Sequence, residues 1–110
     1  MTTEEFEQLL AELRARELEA RSAQMQAFMQ AQPPDVIERF VRERSALSEQ
    51  IQKLEIAQLN QISERLTLLE DDLKVGIKAL KRKLQQLESA IGLINSITKI
   101  VGLVARVLAL

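Results

Sequence analysis

Few residues of this chain could bind a metal, and the strongest group is the acidic cluster of Glu70, Asp71 and Asp72. Carboxylates bind hard cations when several of them converge on one point. Consecutive positions on a helix point roughly 100° apart, so these three side chains do not converge. The chain also lacks His and Cys, the residues that complete most transition-metal sites. We therefore expect neither a metal site nor a cofactor.

Nucleophilic catalysis is disfavoured by the same composition. A serine becomes a nucleophile when a general base lies within hydrogen-bond reach, and that base is most often a histidine. No histidine accompanies the serines, which are Ser22, Ser45, Ser48, Ser63, Ser89 and Ser96. Cysteine, the other common nucleophile, is absent as well. We therefore expect a protein that is not an enzyme and has no catalytic residues.

The densest charged feature is a run of bases without any acid, which we name the basic run: Lys74, Lys78, Lys81, Arg82 and Lys83. Polybasic segments of this kind bind anionic membrane surfaces, at about 1 kcal/mol per charge. The alternative interpretation is a solvated helix face whose bases are balanced by the acidic cluster one turn earlier. Nucleic acid is not expected as a partner, because aromatic residues make up only 3% of the chain and the net charge is −1.

The charges are distributed unevenly along the sequence. Residues 1–55 contain 11 acids and 7 bases, a net charge of −4, whereas residues 56–110 contain 5 acids and 8 bases, a net charge of +3. This asymmetry favours antiparallel packing between chains or attraction of the C-terminal half to an anionic surface. The first residues lack the basic region and apolar stretch of a secretory signal. We expect a cytoplasmic protein, peripheral to a membrane if the basic run binds lipid.

The elements that position these residues are predicted to be helices, since the chain contains only three Gly and two Pro. Thr2 and Glu5 have the spacing of a capping box, and residues 3–31 contain neither Gly nor Pro. This predicts a first helix over about 3–31. A turn follows at 32–35, where Pro33 stops the helix and Asp35 is expected to cap the next one.

From residue 36 to residue 110 the sequence contains no Pro, and its apolar residues recur with steps of three and four. This predicts one long helix over about 36–110. Two stutters interrupt the heptad and indicate an 11-residue period: the step from Leu54 to Ile62 through Gln58, and the two steps of four from Leu69 through Leu73 to Ile77. Gln58 either fixes the register of a coiled coil or is a polar residue tolerated at its edge. The apolar line, which we name the seam, comprises Leu47, Ile51, Leu54, Ile62, Leu66, Leu69, Leu73, Ile77, Leu80, Leu84, Leu87, Ile91 and Ile94.

A polar stripe opposite the seam favours a single helix over 60–106. It comprises Asp71, Lys74, Lys78, Lys81, Gln85, Glu88, Gly92, Asn95, Lys99, Gly102 and Arg106.

Over residues 89–110 the apolar face widens into an apolar end that includes Ile97, Ile100, Val101, Val104 and Leu108. Such a segment is either buried in a helical assembly or bound at a membrane interface, with Lys99 and Arg106 among the headgroups. Lys99 near its centre disfavours a spanning helix.

These patterns predict an all-α fold with one domain over residues 1–110. It is a helical hairpin with a short N-terminal helix and a long C-terminal helix, which assembles into a coiled-coil or helical-bundle oligomer. A helix of about 75 residues would be roughly 110 Å long, against roughly 43 Å for the first helix, so much of its apolar surface would need another cover. The alternative is a monomeric three-helix bundle with a break between Glu70 and Gly76.

We therefore expect a structural or protein-interaction function. The seam and the apolar end would bind a second copy of the chain or another helical partner. The alternative is a peripheral membrane-binding protein that lays the basic run and the segment 89–110 on an anionic membrane surface. The oligomeric state with and without lipid discriminates between the two hypotheses.

Overall fold

The computed structural model describes residues 1–109 and forms, within them, five helices and no strand. The helices are α1 (Thr3–Glu19), α2 (Ala23–Gln30), α3 (Pro34–Ile56), α4 (Leu59–Gln86) and α5 (Ala90–Leu108). The predicted all-α class is confirmed. Leu110, the last residue of the predicted apolar end, lies outside the described residues.

The start of α1 is the predicted capping box. The Glu5 backbone N–H donates to Thr2 Oγ1 at 3.1 Å, and the Thr2 backbone N–H donates to Glu5 Oε1 at 3.2 Å. The prediction of one unbroken helix over 3–31 is wrong, because α1 ends at Glu19 and α2 begins at Ala23. Ser22 causes the break: its Oγ accepts a hydrogen bond from the Met25 backbone N–H at 3.1 Å, as an N-cap serine does.

The proline turn lies where the sequence predicts it, between α2 and α3. Pro33 is the residue before α3 and Pro34 is its first residue, a position where a missing N–H costs nothing. The prediction that Asp35 caps this helix is wrong. Asp35 lies inside the first turn, where its negative charge favours the helix through the helix dipole.

The prediction of one long helix over 36–110 is wrong, because the chain turns at Ala57–Gln58 and again at Leu87–Ser89. Gln58 is exposed in the connection between α3 and α4. The long step of the seam from Leu54 to Ile62 is therefore a change of chain direction and not a stutter of a coiled coil. At the second turn Leu87 adopts a left-handed conformation with φ 52°. Ser89 then caps α5 by accepting a hydrogen bond from the Gly92 backbone N–H at 3.0 Å.

The alternative three-helix prediction also places its break wrongly, since α4 continues through Glu70 and Gly76. Gly76 lies where α4 meets α5. A Cβ atom there would be 3.5 Å from Ile100 Cγ1, which is ordinary van der Waals contact. Gly76 is buried inside α4, and the space between it and Ile100 would still accommodate a Cβ atom.

The long helices form an elongated bundle in which α5 packs against α3 and α4 and α1 packs against the same two helices. Arg39 Nη2 donates to Asn95 Oδ1 at 3.3 Å, and Arg65 Nε donates to the Val107 carbonyl at 2.8 Å. The starts of α3 and α5 therefore lie together, as do the start of α4 and the end of α5. Hence α5 runs parallel to α3 and antiparallel to α4. The described residues measure 44 × 23 × 19 Å.

Candidate functional site

The structure places most of the seam inside this one chain. Ten of its residues are buried on α3 and α4, namely Leu47, Ile51, Leu54, Ile62, Leu66, Leu69, Leu73, Ile77, Leu80 and Leu84. Their main cover is the apolar face of α5, which packs against both α3 and α4 and so removes its own aliphatic side chains from water. The expectation that a single chain cannot shelter the seam does not match this packing.

Some residues of the apolar end and of the C-terminal part of the seam are buried, and others lie at the surface. Ile94, Ile97, Ile100 and Val104 are buried, whereas Leu87, Val101 and Leu108 are half-buried and Ile91 is 44% exposed. The turn at Leu87–Ser89 rotates the buried face of α5 away from the predicted line, which leaves Ile91 outside. By length and composition alone, α5 could cross a membrane, with a mean hydropathy of 1.6.

The five side chains of the basic run are all exposed on α4, but they point in three directions. Lys74, Lys78 and Lys81 face α1 across a groove. Lys83 reaches the start of α5, where its Nζ lies beside Gly92. Among the described residues one ion pair engages the run, between Lys74 Nζ and Glu70 Oε1 at 3.8 Å. The run is therefore available to an external anion.

The prediction that the polar stripe follows a single helix over 60–106 is wrong, because the turn at Leu87–Ser89 divides the stripe between α4 and α5. Its side chains on α4 face solvent. On α5 its side chains are exposed at Asn95, Lys99 and Arg106. Residues 73–110 contain 7 bases and 1 acid, a net charge of +6, whereas residues 1–72 contain 8 bases and 15 acids, a net charge of −7. The second half of α4 together with α5 is thus the positively charged part of the molecule.

A groove of about 410 Å³ lies between α1 and α4. Its apolar surface comes from Met1, Leu9 and Ile77, and its basic wall from the three lysines of α4 that face α1. Glu5 and Glu12 form the acidic wall on α1. The pKa of the Glu5 carboxyl is lowered, mainly by the hydrogen bond from the Thr2 backbone and to a small extent by Lys74.

Arg16 also lines this groove, although it is only 5% exposed. Its Nη1 lies 3.0 Å from Glu12 Oε2 and its Nη2 lies 2.8 Å from Glu19 Oε1. Within residues 1–109 its buried Nε atom has no hydrogen-bond partner, and neither has Glu19 Oε2. The burial of Arg16 was not predicted from the sequence. The carboxylates four residues before it and three residues after it were the signal that it is buried with its counter-ions.

The outer face of α4 carries two large aliphatic side chains without a cover from the described residues. Leu68 is 76% exposed and Val75 is 63% exposed, and the two lie seven residues apart on the same side of the helix. Asp71 and Lys78 flank Val75 on this face. This outer face thus combines two exposed aliphatic side chains with charged neighbours.

The acidic cluster lies on the same outer part of α4, with Asp71 and Asp72 exposed and Glu70 half-buried. Across residues 1–109 the structure brings no three acidic side chains together in a metal-binding arrangement. Comparison of the chain with known protein families, with curated proteins and with solved structures gives no match.

Proposed function

We propose that this chain is a non-enzymatic helical-bundle protein that binds an anionic membrane surface through the basic run on α4. The observation that supports the proposal is the exposure of all five bases with a single long ion pair among them. Positive charges near an anionic bilayer contribute about 1 kcal/mol each, so each base of the run that reaches the bilayer adds to weak, reversible binding.

The surrounding charge supports the same orientation of the molecule. Lys99 and Arg106 add two exposed bases on α5, and Glu88 is the one acid between residues 73 and 110. The acids are concentrated in the N-terminal 72 residues, although Glu5 and Glu12 of α1 lie across the groove from Lys74, Lys78 and Lys81. Val75, exposed beside the bases, adds an aliphatic contact at the level of the headgroups.

In this proposal the bundle binds in its folded form. Ile97 and Ile100 of α5 are buried against the other helices, so laying the whole segment 89–110 on the bilayer would require the bundle to open. Removing that segment would therefore test folding and not binding. Substitutions of exposed bases are the sharper test, because they leave the core unchanged.

The experiment is flotation of the full chain with vesicles of phosphatidylcholine alone or with about 30% phosphatidylglycerol. We expect binding to the anionic vesicles only, and its loss in 0.5 M salt, where screening is strong. The double variant Lys78→Gln/Arg82→Gln should lose several-fold of the bound fraction. Arg42→Gln/Lys53→Gln on α3 is the matched control, because it makes the same change of net charge at exposed positions.

Two results would overturn the proposal. One is the absence of flotation with anionic vesicles in low salt. The other is an equal loss of binding in the α4 and α3 variants, which would indicate that net charge and not the basic run determines binding. Circular dichroism of each variant shows whether the helices are intact.

Self-association is the second candidate function. The exposed outer face of α4 is a better contact surface for a second copy than the seam, most of which is buried. Two copies of α4 packed antiparallel about Val75 would place Asp71 of each copy near Lys78 of the other. Such pairing joins an exposed aliphatic contact to complementary charges. Light scattering on the free protein and on Val75→Glu tests it: a dimer lost in the variant supports this face, and a monomer at high micromolar concentration excludes it.

A further inference from the structure

We infer that the groove between α1 and α4 binds a single-chain amphipathic carboxylate of the fatty-acid type. The inference is independent of membrane binding, because the ligand is a monomer in water and the site is a concave feature of the folded bundle. Its volume of about 410 Å³ falls in the range of small-molecule sites, about 300–1,000 Å³.

The groove has an apolar surface that suits an alkyl chain. Leu9 of α1 and Ile77 of α4 line it, and Met1 adds a flexible thioether side chain that can adapt to the shape of a ligand. Leu9 and Ile77 are otherwise buried, so the groove reaches down to the apolar interface between the two helices. A chain of methylenes placed there would exchange water for these aliphatic side chains.

The basic wall suits one carboxylate. Lys78 and Lys81 are three residues apart and therefore lie one helical turn from each other on the same face. Neither is in an ion pair among residues 1–109, whereas Lys74 lies 3.8 Å from Glu70. Two flexible ammonium groups at this spacing can donate to the same carboxylate.

Arg16 also lines the groove, although it is only 5% exposed. Its Nη atoms are held by Glu12 and Glu19, which fixes the position of the guanidinium. Its Nε atom has no partner within the described residues, but the atom is buried and does not offer a direct contact to a ligand. The ligand carboxylate is therefore assigned to Lys78 and Lys81.

The acidic wall determines which anions fit. Glu5 and Glu12 lie on the α1 side of the groove, and the lowered pKa of Glu5 keeps its carboxylate charged. These charges repel a ligand with several negative groups, such as a nucleotide, more strongly than a ligand with one. The groove is therefore suited to a monoanion whose remaining part is apolar.

The test is isothermal titration calorimetry of the full chain with dodecanoate below its critical micelle concentration. Two probes separate the contributions of chain and head: dodecyltrimethylammonium has the same chain with the opposite charge, and acetate has the same head without the chain. We expect dodecanoate to bind at least about tenfold more tightly than the cationic probe, and acetate not to bind measurably.

Two variants locate the binding. Lys78→Gln/Lys81→Gln should weaken dodecanoate binding about tenfold or more, whereas Lys99→Gln/Arg106→Gln, with the same loss of charge on the exposed face of α5, should not. Gln8→Trp fills the groove from an exposed position without a change of charge and should abolish binding.

Equal affinity for the anionic and cationic probes, an absence of dodecanoate binding, or unchanged binding in Gln8→Trp would each overturn the inference. These outcomes are distinct from the vesicle test. A chain that floats with anionic vesicles and yet does not bind dodecanoate has the basic surface without the site in the groove.

Discussion

The two neighbours of α4 contact it in contrasting ways. On one side α5 packs against α4 with Gly76 opposite Ile100, and both residues are buried. On the other side long charged side chains of α1 and α4 line a groove of about 410 Å³. The same helix thus has one sealed interface and one open interface.

The contrast shows how side-chain shape separates stability from binding within one small bundle. Glycine and branched aliphatic residues allow dense packing, which contributes to folding and leaves no room for a ligand. Lysine, arginine and glutamate at the edge of an interface keep their charged ends in water and cannot interdigitate in this way. The sealed side is therefore expected to dominate stability, and the open side is where a partner can bind.

The largest expected effect follows from a proline in the sealed interface. Gly76→Pro removes a backbone donor in the middle of α4 and clashes with the preceding turn, at a cost of about 3 kcal/mol or more. Since the kink would also displace α5, we expect loss of the cooperative urea transition. Gln58→Pro is the control: Gln58 has φ −81° and follows an extended Ala57, so proline fits there. A mild effect of Gly76→Pro would mean that α4 does not continue through this position in solution.

Much of this architecture follows from local sequence signals. The Thr2–Glu5 capping box and the Pro33–Pro34 turn were predicted because each depends on neighbouring residues only. The burial of the seam on α3 and α4 follows from helical periodicity in the same way. These features need no knowledge of which helices pack together.

The turns that create the bundle could not be predicted in this way. No glycine or proline marks Ala57–Gln58 or Leu87–Ser89, and the left-handed Leu87 is locally unfavourable. Packing of α5 on α3 and α4 outweighs that local cost, and it depends on residues far apart in the sequence. The groove was missed for the same reason, because its lining comes from α1 and α4, which are neighbours only in the folded bundle.

A pair of core substitutions sharpens the comparison of the two interfaces. Ile100→Ala removes a fully buried side chain from the sealed side, and we expect a cost of about 3 kcal/mol. Leu9→Ala borders the open groove, where water can occupy the vacated space, and we expect a cost of about 2 kcal/mol or less. Urea titration of both variants measures the difference. Equal losses would indicate that the groove is closed in solution.

The smallest expected effect is the stability change of Gly76→Ala, which combines a packing contribution with a helix-propensity contribution. Alanine is favoured over glycine inside a helix by about 0.5–1 kcal/mol. At Gly102, an exposed position of α5, a Cβ atom would meet nothing within 4 Å, so Gly102→Ala should give this gain alone. At Gly76 the added Cβ would contact Ile100 at 3.5 Å without a clash, so the gain should be equal or slightly larger. The urea midpoints of the two variants measure both gains under the same conditions. Destabilisation by Gly76→Ala alone would mean that α4 and α5 approach more closely than described, with glycine required at the contact.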